Sequence, residues 1–171
     1  KEKAEPYADS VEVMANGSLN YTVKGICIGM KVTWNYTPPT NGGDTFTSIK
    51  KGSKATLKIV QDEKNGFVKE LYIQKEPDID NRTFEAQLQK TVEQLQITYP
   101  FLSVKNKKNG TYLIDIPQEK RLGHEEHFSK VAKAFLHYVD NKDMPEWENE
   151  NTLAKYYITT TAVEMAKKGN K

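Results

Sequence analysis

The sequence predicts an α+β domain: an open, mainly antiparallel sheet of about six or more strands, with C-terminal helices packed on one face. Three observations lead there. Apolar and polar residues alternate through much of residues 11–75, the period of a strand with one buried face. Clusters of glycine, proline and asparagine break that alternation at short intervals, and strands joined by tight turns run antiparallel. Beyond residue 80 the apolar spacing lengthens to that of amphipathic helices.

Each element follows from its own residues. Val11, Val13 and Ala15 alternate ahead of Asn16-Gly17, a dipeptide suited to a type I′ hairpin turn because both central residues need positive φ. Leu19, Tyr21 and Val23 continue with the same period. Ile26, Ile28, Met30, Val32, Trp34 and Tyr36 then share one parity, which predicts a long strand with a buried face. The stretch TPPTNGGD (37–44) ends it, and shorter strands are expected around 44–50, 54–61 and 67–75. Thr22, Lys24, Lys31, Thr33, Thr56 and Lys58 form the polar second face of this meander, turned to water or to a wet interface.

The second half reads as helices around one hairpin. Phe84, Leu88, Val92, Leu95 and Tyr99 recur at helical spacing, with Asp80 or Asn81 placed to cap and Pro100 to stop. FLSVKN, KKNG and TYLIDI make a hairpin. A helix over about 123–140 carries Phe128, Val131, Ala132, Phe135, Leu136 and Val139 on one stripe. A last helix opens at Asn149 to Asn151 and reaches about Lys168. Leu153, Tyr156, Tyr157, Thr160 and Thr161 cover one of its sides and Ala154, Ile158, Ala162 and Met165 another. A surface helix has a single apolar stripe, so this one is expected to be clamped between two partners.

Length and charge narrow the function classes. A chain of 171 residues suits one domain, 1–171, large enough to bury a core without staples. Its net charge of +2 is spread evenly, with no basic block or arginine cluster to mark a nucleic-acid face. No apolar run approaches the ~18 residues that would span a bilayer, so no membrane partner is expected. A single cysteine, Cys27, excludes an internal disulfide and a cysteine zinc cluster. A chain opening KEKAEPYADS, without methionine, reads as an excised piece of a longer product.

The stretch RLGHEEHF (121–128) is densest in chemistry. A zinc-protease helix sets its histidines four apart with a glutamate after the first, whereas His124 and His127 are three apart. They still share a helical face, but a catalytic zinc needs a third protein ligand, and His137 falls on the opposite side. A plain helix start explains more. Gly123 turns the chain into the helix, and Glu125 and Glu126 put negative charge where the macrodipole favours it. His124 falls within the apolar stripe and His127 at its margin, so His124 is either a half-buried structural histidine or one facing a ligand. No serine elbow, phosphate loop or GxGxxG accompanies them, and Cys27 reads as core or interface. Trp34 and Tyr36 are core by parity, or a sugar-stacking platform beside the 37–44 loop.

Three stretches taken in order carry a family resemblance: YTVKGICIGMKVTWNYTPP, GGDTFTSIKKGSKATL, and GHEEHFSKVAKAFLHYVDNKDMPEWENENTLAKYYITTTAVEMAKK. Together they resemble the C-terminal domain of Gfo/Idh/MocA-type oxidoreductases, over roughly residues 10–168. The resemblance implies a two-domain enzyme. An N-terminal Rossmann domain would bind NAD or NADP, and the α+β domain would shape the substrate pocket and often form the oligomer interface. The family's dinucleotide fingerprint and its Glu-Lys-Pro motif, which supplies the catalytic lysine, have no match here. QKEP at 74–77 holds those letters in another order, after a sheet strand. Phe46 stands where the pattern leads one to expect a histidine.

On this basis the chain is expected to be the substrate-binding and oligomerisation domain of an NAD(P)-dependent oxidoreductase acting on a sugar or polyol. By itself it is expected to hold no catalytic residue, cofactor or metal. Its implied partners are the missing N-terminal Rossmann domain, a sugar-like small molecule and a second copy bound through the sheet. His124, Glu125, His127, Trp34, Asp44 and Thr45 are the candidate substrate-binding residues. The alternative is a stand-alone carbohydrate-binding or protein-interaction module using Trp34, Tyr36 and the 37–44 loop.

Overall fold

The computed structural model describes residues 16–169, so the expected strand of Val11, Val13 and Ala15 lies outside the described residues. The fold is α+β with open antiparallel sheets, and its strands divide between a two-stranded and a five-stranded sheet. The described residues form two compact units, one of residues 38–131 and one of the flanking segments.

In the flanking unit, β1 (Gly17–Val23) pairs antiparallel with β2 (Ile26–Val32). The hairpin turn is Lys24-Gly25, with φ of 49° and 78°, the two positive values that a type I′ turn needs. Asn16-Gly17 does not make that turn, which corrects the sequence expectation. Gly17 instead forms the first rung of the ladder opposite Val32, and the Asn16 Oδ1 accepts a 2.6 Å hydrogen bond from the Trp34 N–H. The ladder stops where β1 runs out, so β2 ends at Val32 and does not continue to Tyr36.

Register puts Leu19 opposite Met30, Tyr21 opposite Ile28 and Val23 opposite Ile26, so one hairpin face is wholly apolar. That face was expected to be buried, yet Val23, Ile26, Met30 and Val32 are exposed. Thr22 and Lys31 lie on the other face of this sheet, whereas Thr56 and Lys58 belong to the five-stranded one. Hydrogen bonding therefore splits the expected polar face between two sheets.

The central unit contains β3 (Phe46–Lys51), β4 (Ala55–Gln61), β5 (Glu70–Lys75), β6 (Ser103–Asn106) and β7 (Thr111–Asp115), ordered β3-β4-β5-β7-β6. Helix α1 (Asn81–Gln96) joins β5 to the far edge strand β6, and the β6–β7 hairpin returns the chain to β5. Asp80 caps α1 by accepting from the Thr83 N–H at 2.8 Å, as its sequence position indicated.

Strand register selects what α1 covers. Leu71 faces Ile114, which faces Val104, and Ile73 faces Tyr112, so these five side chains share a face. Val92 and Leu88 of α1 pack on them with Leu102, Phe101 and Ile116, forming the core cluster. Phe84 closes it, its ring 5.6 Å from that of Tyr112, whose hydroxyl donates to Glu85 at 2.8 Å. The strand-to-helix junction is held by Lys75, only 8% exposed. Its Nζ donates to the Glu76 carbonyl at 2.9 Å and also to that of Ile79.

Helix α2 spans His124–Asn141. Helix α3 spans Glu146–Gly169 and opens three residues before the expected Asn149. The reason is local: the Glu148 N–H reaches the Pro145 carbonyl at 3.0 Å, and Glu146 and Glu148 supply acidic charge to the first turn. Of the two faces assigned to α3, Leu153, Tyr156 and Tyr157 are exposed, while Ile158 and Ala162 are half-buried. Among the described residues no helix is long and apolar enough to cross a membrane.

The Lys75 clasp yields a stability test. Lys75→Met keeps the aliphatic stem but leaves two carbonyls without their donor, at a cost of about 1–3 kcal/mol. Denaturant unfolding is expected to show that loss. An unchanged midpoint would mean that water replaces the ammonium without penalty.

Candidate functional site

Antiparallel pairing brings the start of β3, the end of β4, the start of β5 and the end of β7 to one end of the five-stranded sheet. The loop carrying Asp44 and Thr45 leads into β3 there. It begins with a turn in which the Gly42 N–H donates to the Pro39 carbonyl at 2.7 Å. It is fastened to β4 by the Gln61 Nε2, which donates to the Asp44 carbonyl at 2.9 Å. Both carbonyl and strand end are thereby fixed, and the Asp44 and Thr45 side chains are left exposed.

Two basic residues tie elements together at the same end. Lys69, just before β5, places its Nζ 5.1 Å above the centre of the Phe46 ring, a cation–π contact. Its backbone carbonyl accepts from Arg121 Nη1 at 3.3 Å, while Arg121 Nε donates to the Ile116 carbonyl at 2.9 Å. One residue thus links the β3 start to the segment that leads into α2. Gly123 then caps α2: its carbonyl accepts from the His127 N–H at 3.1 Å, and its own N–H donates to Glu126 Oε2 at 2.9 Å. That is the reciprocal arm of a capping box, so Glu126 folds back onto the helix start.

His124 lies three residues beyond Arg121, its ring 4.8 Å from that of Phe128. Both are exposed, which overturns the half-buried reading of His124. The stripe to which it belongs is bare as well, with Phe128, Val131, Phe135, Leu136 and Val139 between 54% and 68% exposed. Glu125 and His127 are exposed too. Among the described residues no hydrogen bond ties His124, Glu125 or His127 to Asp44 or Thr45. Asp44, Thr45 and the approach to His124 therefore share one sheet end through Lys69 and Arg121, not through direct contact. Trp34 belongs to the flanking unit. Parity read it as core, but it is 74% exposed, as Ile26 is at 67% within the ladder, because among the described residues nothing covers that face. Among the described residues no three His, Cys, Asp or Glu side chains gather as a metal-ligand set.

Lys69, Arg121 and Gln61 were not singled out from the sequence. The one available signal was Arg121, one of two arginines in a chain rich in lysine, placed directly before a helix.

One carboxylate near this end, Glu70, lies on the other face of the sheet. Register puts Glu70 and Tyr72 on the face opposite Leu71 and Ile73. The Tyr72 hydroxyl donates to Glu70 Oε2 at 2.6 Å. That hydrogen bond, then burial, then the charges of Glu70 and Asp62 push the Tyr72 pKa from 10.0 up to about 12. The folded state thus favours the neutral phenol. Its contribution is complete below pH 10 and is lost as pH rises toward about 12. Burial and the bond to Glu85 raise Tyr112 as well, so spectrophotometric titration at alkaline pH is expected to find both tyrosines ionising late, and Glu70→Ala to bring only Tyr72 back toward the ordinary range.

Comparison with known proteins places the chain in a family. Residues 2–167 match the family described as "Putative oxidoreductase C terminal domain". The crystal structure of an oxidoreductase, titled "putative", from Parabacteroides merdae ATCC 43184 is similar to this chain, with 37% sequence identity and a TM-score of 0.88. The similarity covers 97% of this chain and 40% of that one, so the chain spans less than half of its relative's length. No curated protein matches the sequence. With nearly its whole length inside the match, the chain belongs to the family of oxidoreductase C-terminal domains.

Proposed function

We propose that this domain is the substrate-binding and oligomerisation part of an NAD(P)-dependent oxidoreductase of the Gfo/Idh/MocA type, acting on a sugar or polyol. The observation that carries the reading is the sequence of surfaces along 121–139: a polar corner at the sheet end, then His124, then an apolar stripe with no cover among the described residues. An uncovered stripe of five large side chains beside a polar corner fits a domain completed by another part of a longer polypeptide. His124, Glu125, His127, Asp44 and Thr45 supply hydroxyl-binding groups at that junction.

The β5–α1 junction does not suit a dinucleotide's phosphates. The junction from β5 to α1 reads Lys75-Glu-Pro-Asp-Ile-Asp-Asn81 without glycine, and the Asp80 carboxylate already occupies the helix N-terminus. A pyrophosphate there would meet a fixed negative charge. NAD or NADP is assigned instead to the Rossmann domain of the parent, which would supply the hydride-accepting chemistry. This domain's own residues would bind and orient the substrate and, with the α2 stripe covered, exclude water.

The parent protein is expected to reduce NAD(P) on sugars or polyols, and the 171-residue chain alone to bind no nucleotide by calorimetry. Tight NAD binding to the isolated chain would sink the reading. The stand-alone module is favoured only by the exposed Trp34. It wins if the isolated chain binds sugars as well as the parent does and Trp34→Ala abolishes that binding. His124→Ala in the parent is expected to lower kcat/KM by about tenfold, the worth of one hydrogen bond. Stability should change by no more than about 0.5 kcal/mol, since the side chain is exposed. A large stability loss with normal kinetics would remove His124 from the site.

Pairing of subunits through the sheet belongs to the same proposal. The face bearing Thr56, Lys58, Glu70 and Tyr72 is polar and fits a wet interface. Light scattering on the chain is expected to give at least twice 19.5 kDa, and a monomer at high concentration counts against it.

A further inference from the structure

We propose that Phe67 is a positioning residue of this sheet end: the β4–β5 connection holds its backbone left-handed, and its ring braces the loop that carries Asp44 and Thr45. The role rests on the functional reading above, in which those two side chains meet the substrate. Phe67 has φ of 59°, directly after Gly66 at 63°. Left-handed backbone suits glycine and asparagine, whereas in a bulky aromatic residue it is a true outlier. Such strain persists only where the surroundings over-determine it, and it clusters at functional sites.

The connection supplies that determination. Asp62 and Asn65 cap each other around the 3-10 turn Glu63–Asn65. Asp62 Oδ1 accepts from the Lys64 N–H at 2.9 Å, and Asn65 Oδ1 accepts from the Asp62 N–H at 2.9 Å. Asn65 Nδ2 donates to the Val60 carbonyl at 2.9 Å, which ties the turn to β4. The Phe67 N–H then closes on the Asp62 carbonyl at 2.7 Å, and the Val68 N–H returns to the Asn65 carbonyl at 3.3 Å. Glycine or asparagine would take up this backbone with less strain, so the turn alone gives no reason for a phenyl ring. The reason is the neighbour that the ring meets. Phe67 is half-buried beside Gly43, on the side where a side chain would stand: a Cβ there would lie 3.6 Å from Phe67 Cβ and 3.8 Å from its Cδ1. The ring thus fills one flank of the loop, and the Gln61 bond to the Asp44 carbonyl holds the next residue. Together they fix the backbone from which Asp44 and Thr45 project. Binding groups held in place before the substrate arrives lose less affinity to ordering.

Two readouts in the full-length parent protein test this. Phe67→Asn removes the ring and keeps a left-handed turn, and Phe67→Tyr keeps the ring. In the asparagine variant, amide hydrogen exchange is expected to speed about tenfold at residues 43–45 while β4 and β5 keep their protection. KM for glucose or inositol, whichever the parent oxidises, is expected to rise about tenfold, the worth of one well-placed hydrogen bond. Both kcat and the cofactor's KM should stay within about twofold, the pattern of lost substrate binding. The tyrosine variant is expected to behave as the native protein. Phe67→Gly is a second variant without the ring, so poor folding of the first does not hide the result. Unchanged exchange at 43–45, faster exchange with an unaltered KM, or a KM rise that the tyrosine variant shares would overturn the proposal. A parent that oxidises neither probe, yet shows the exchange effect, would refute the sugar or polyol reading and leave the brace standing.

Discussion

The central unit depends on one constraint: an antiparallel ladder gives every strand residue a single face, and a one-residue slip exchanges the faces. The register of β5, β7 and β6 sends Leu71, Ile73, Tyr112, Ile114 and Val104 to the same side. Only against that row can α1 bury Val92 and Leu88. The opposite parity carries Tyr72, Glu70, Lys105 and Asp115, and a slip would push their charges into the core. The Lys105–Asp115 pair at 2.6 Å and the Tyr72–Glu70 bond sit on that outer face, where water screens what they leave unpaired.

The same register makes the candidate site. Because strands alternate direction, the loops at each end of the sheet come from distant parts of the sequence. Asp44, Gln61, Lys69 and Arg121 span 78 positions yet meet at one end, joined by backbone carbonyls that the strands have already fixed. Carbonyls at strand ends have no ladder partner, so a side chain that reaches them satisfies a group that would otherwise need water. Arg121 does this twice, which locks the segment before α2 to the β4–β5 connection.

What the sequence made legible follows from the range of each interaction. The cap at Asp80 and the hairpin over 103–115 depend on neighbours within a few positions and stand where the pattern placed them, whereas α1 ends at Gln96, short of the Tyr99 and Pro100 that the pattern gave it. The first hairpin shows the limit. Asn16-Gly17 and Lys24-Gly25 both pair a tolerant residue with glycine, and only the pairing of Gly17 with Val32 decides which one turns. Burial was less legible still. Trp34 and His124 have the parity and spacing of core residues, but parity says which face a side chain takes and nothing about whether that face is covered. Lys69 and Arg121 could not be found from spacing, because their meeting needs the whole sheet.

The exposed stripe on α2 links assembly to chemistry. Helix α2 starts directly after Arg121-Leu122-Gly123 and carries Phe128, Val131, Phe135, Leu136 and Val139 on one exposed stripe. Burying such side chains is worth about 1.5–3 kcal/mol each, so a cover over this stripe would be held strongly. A cover that begins at Phe128 also lies against His124, whose ring is in contact with it. It would lower the dielectric around His124 and strengthen each hydrogen bond made there to a substrate. On the proposed reading, the surface that holds the domain to the rest of its polypeptide is therefore continuous with the surface that binds, and docking and substrate affinity stabilise one another.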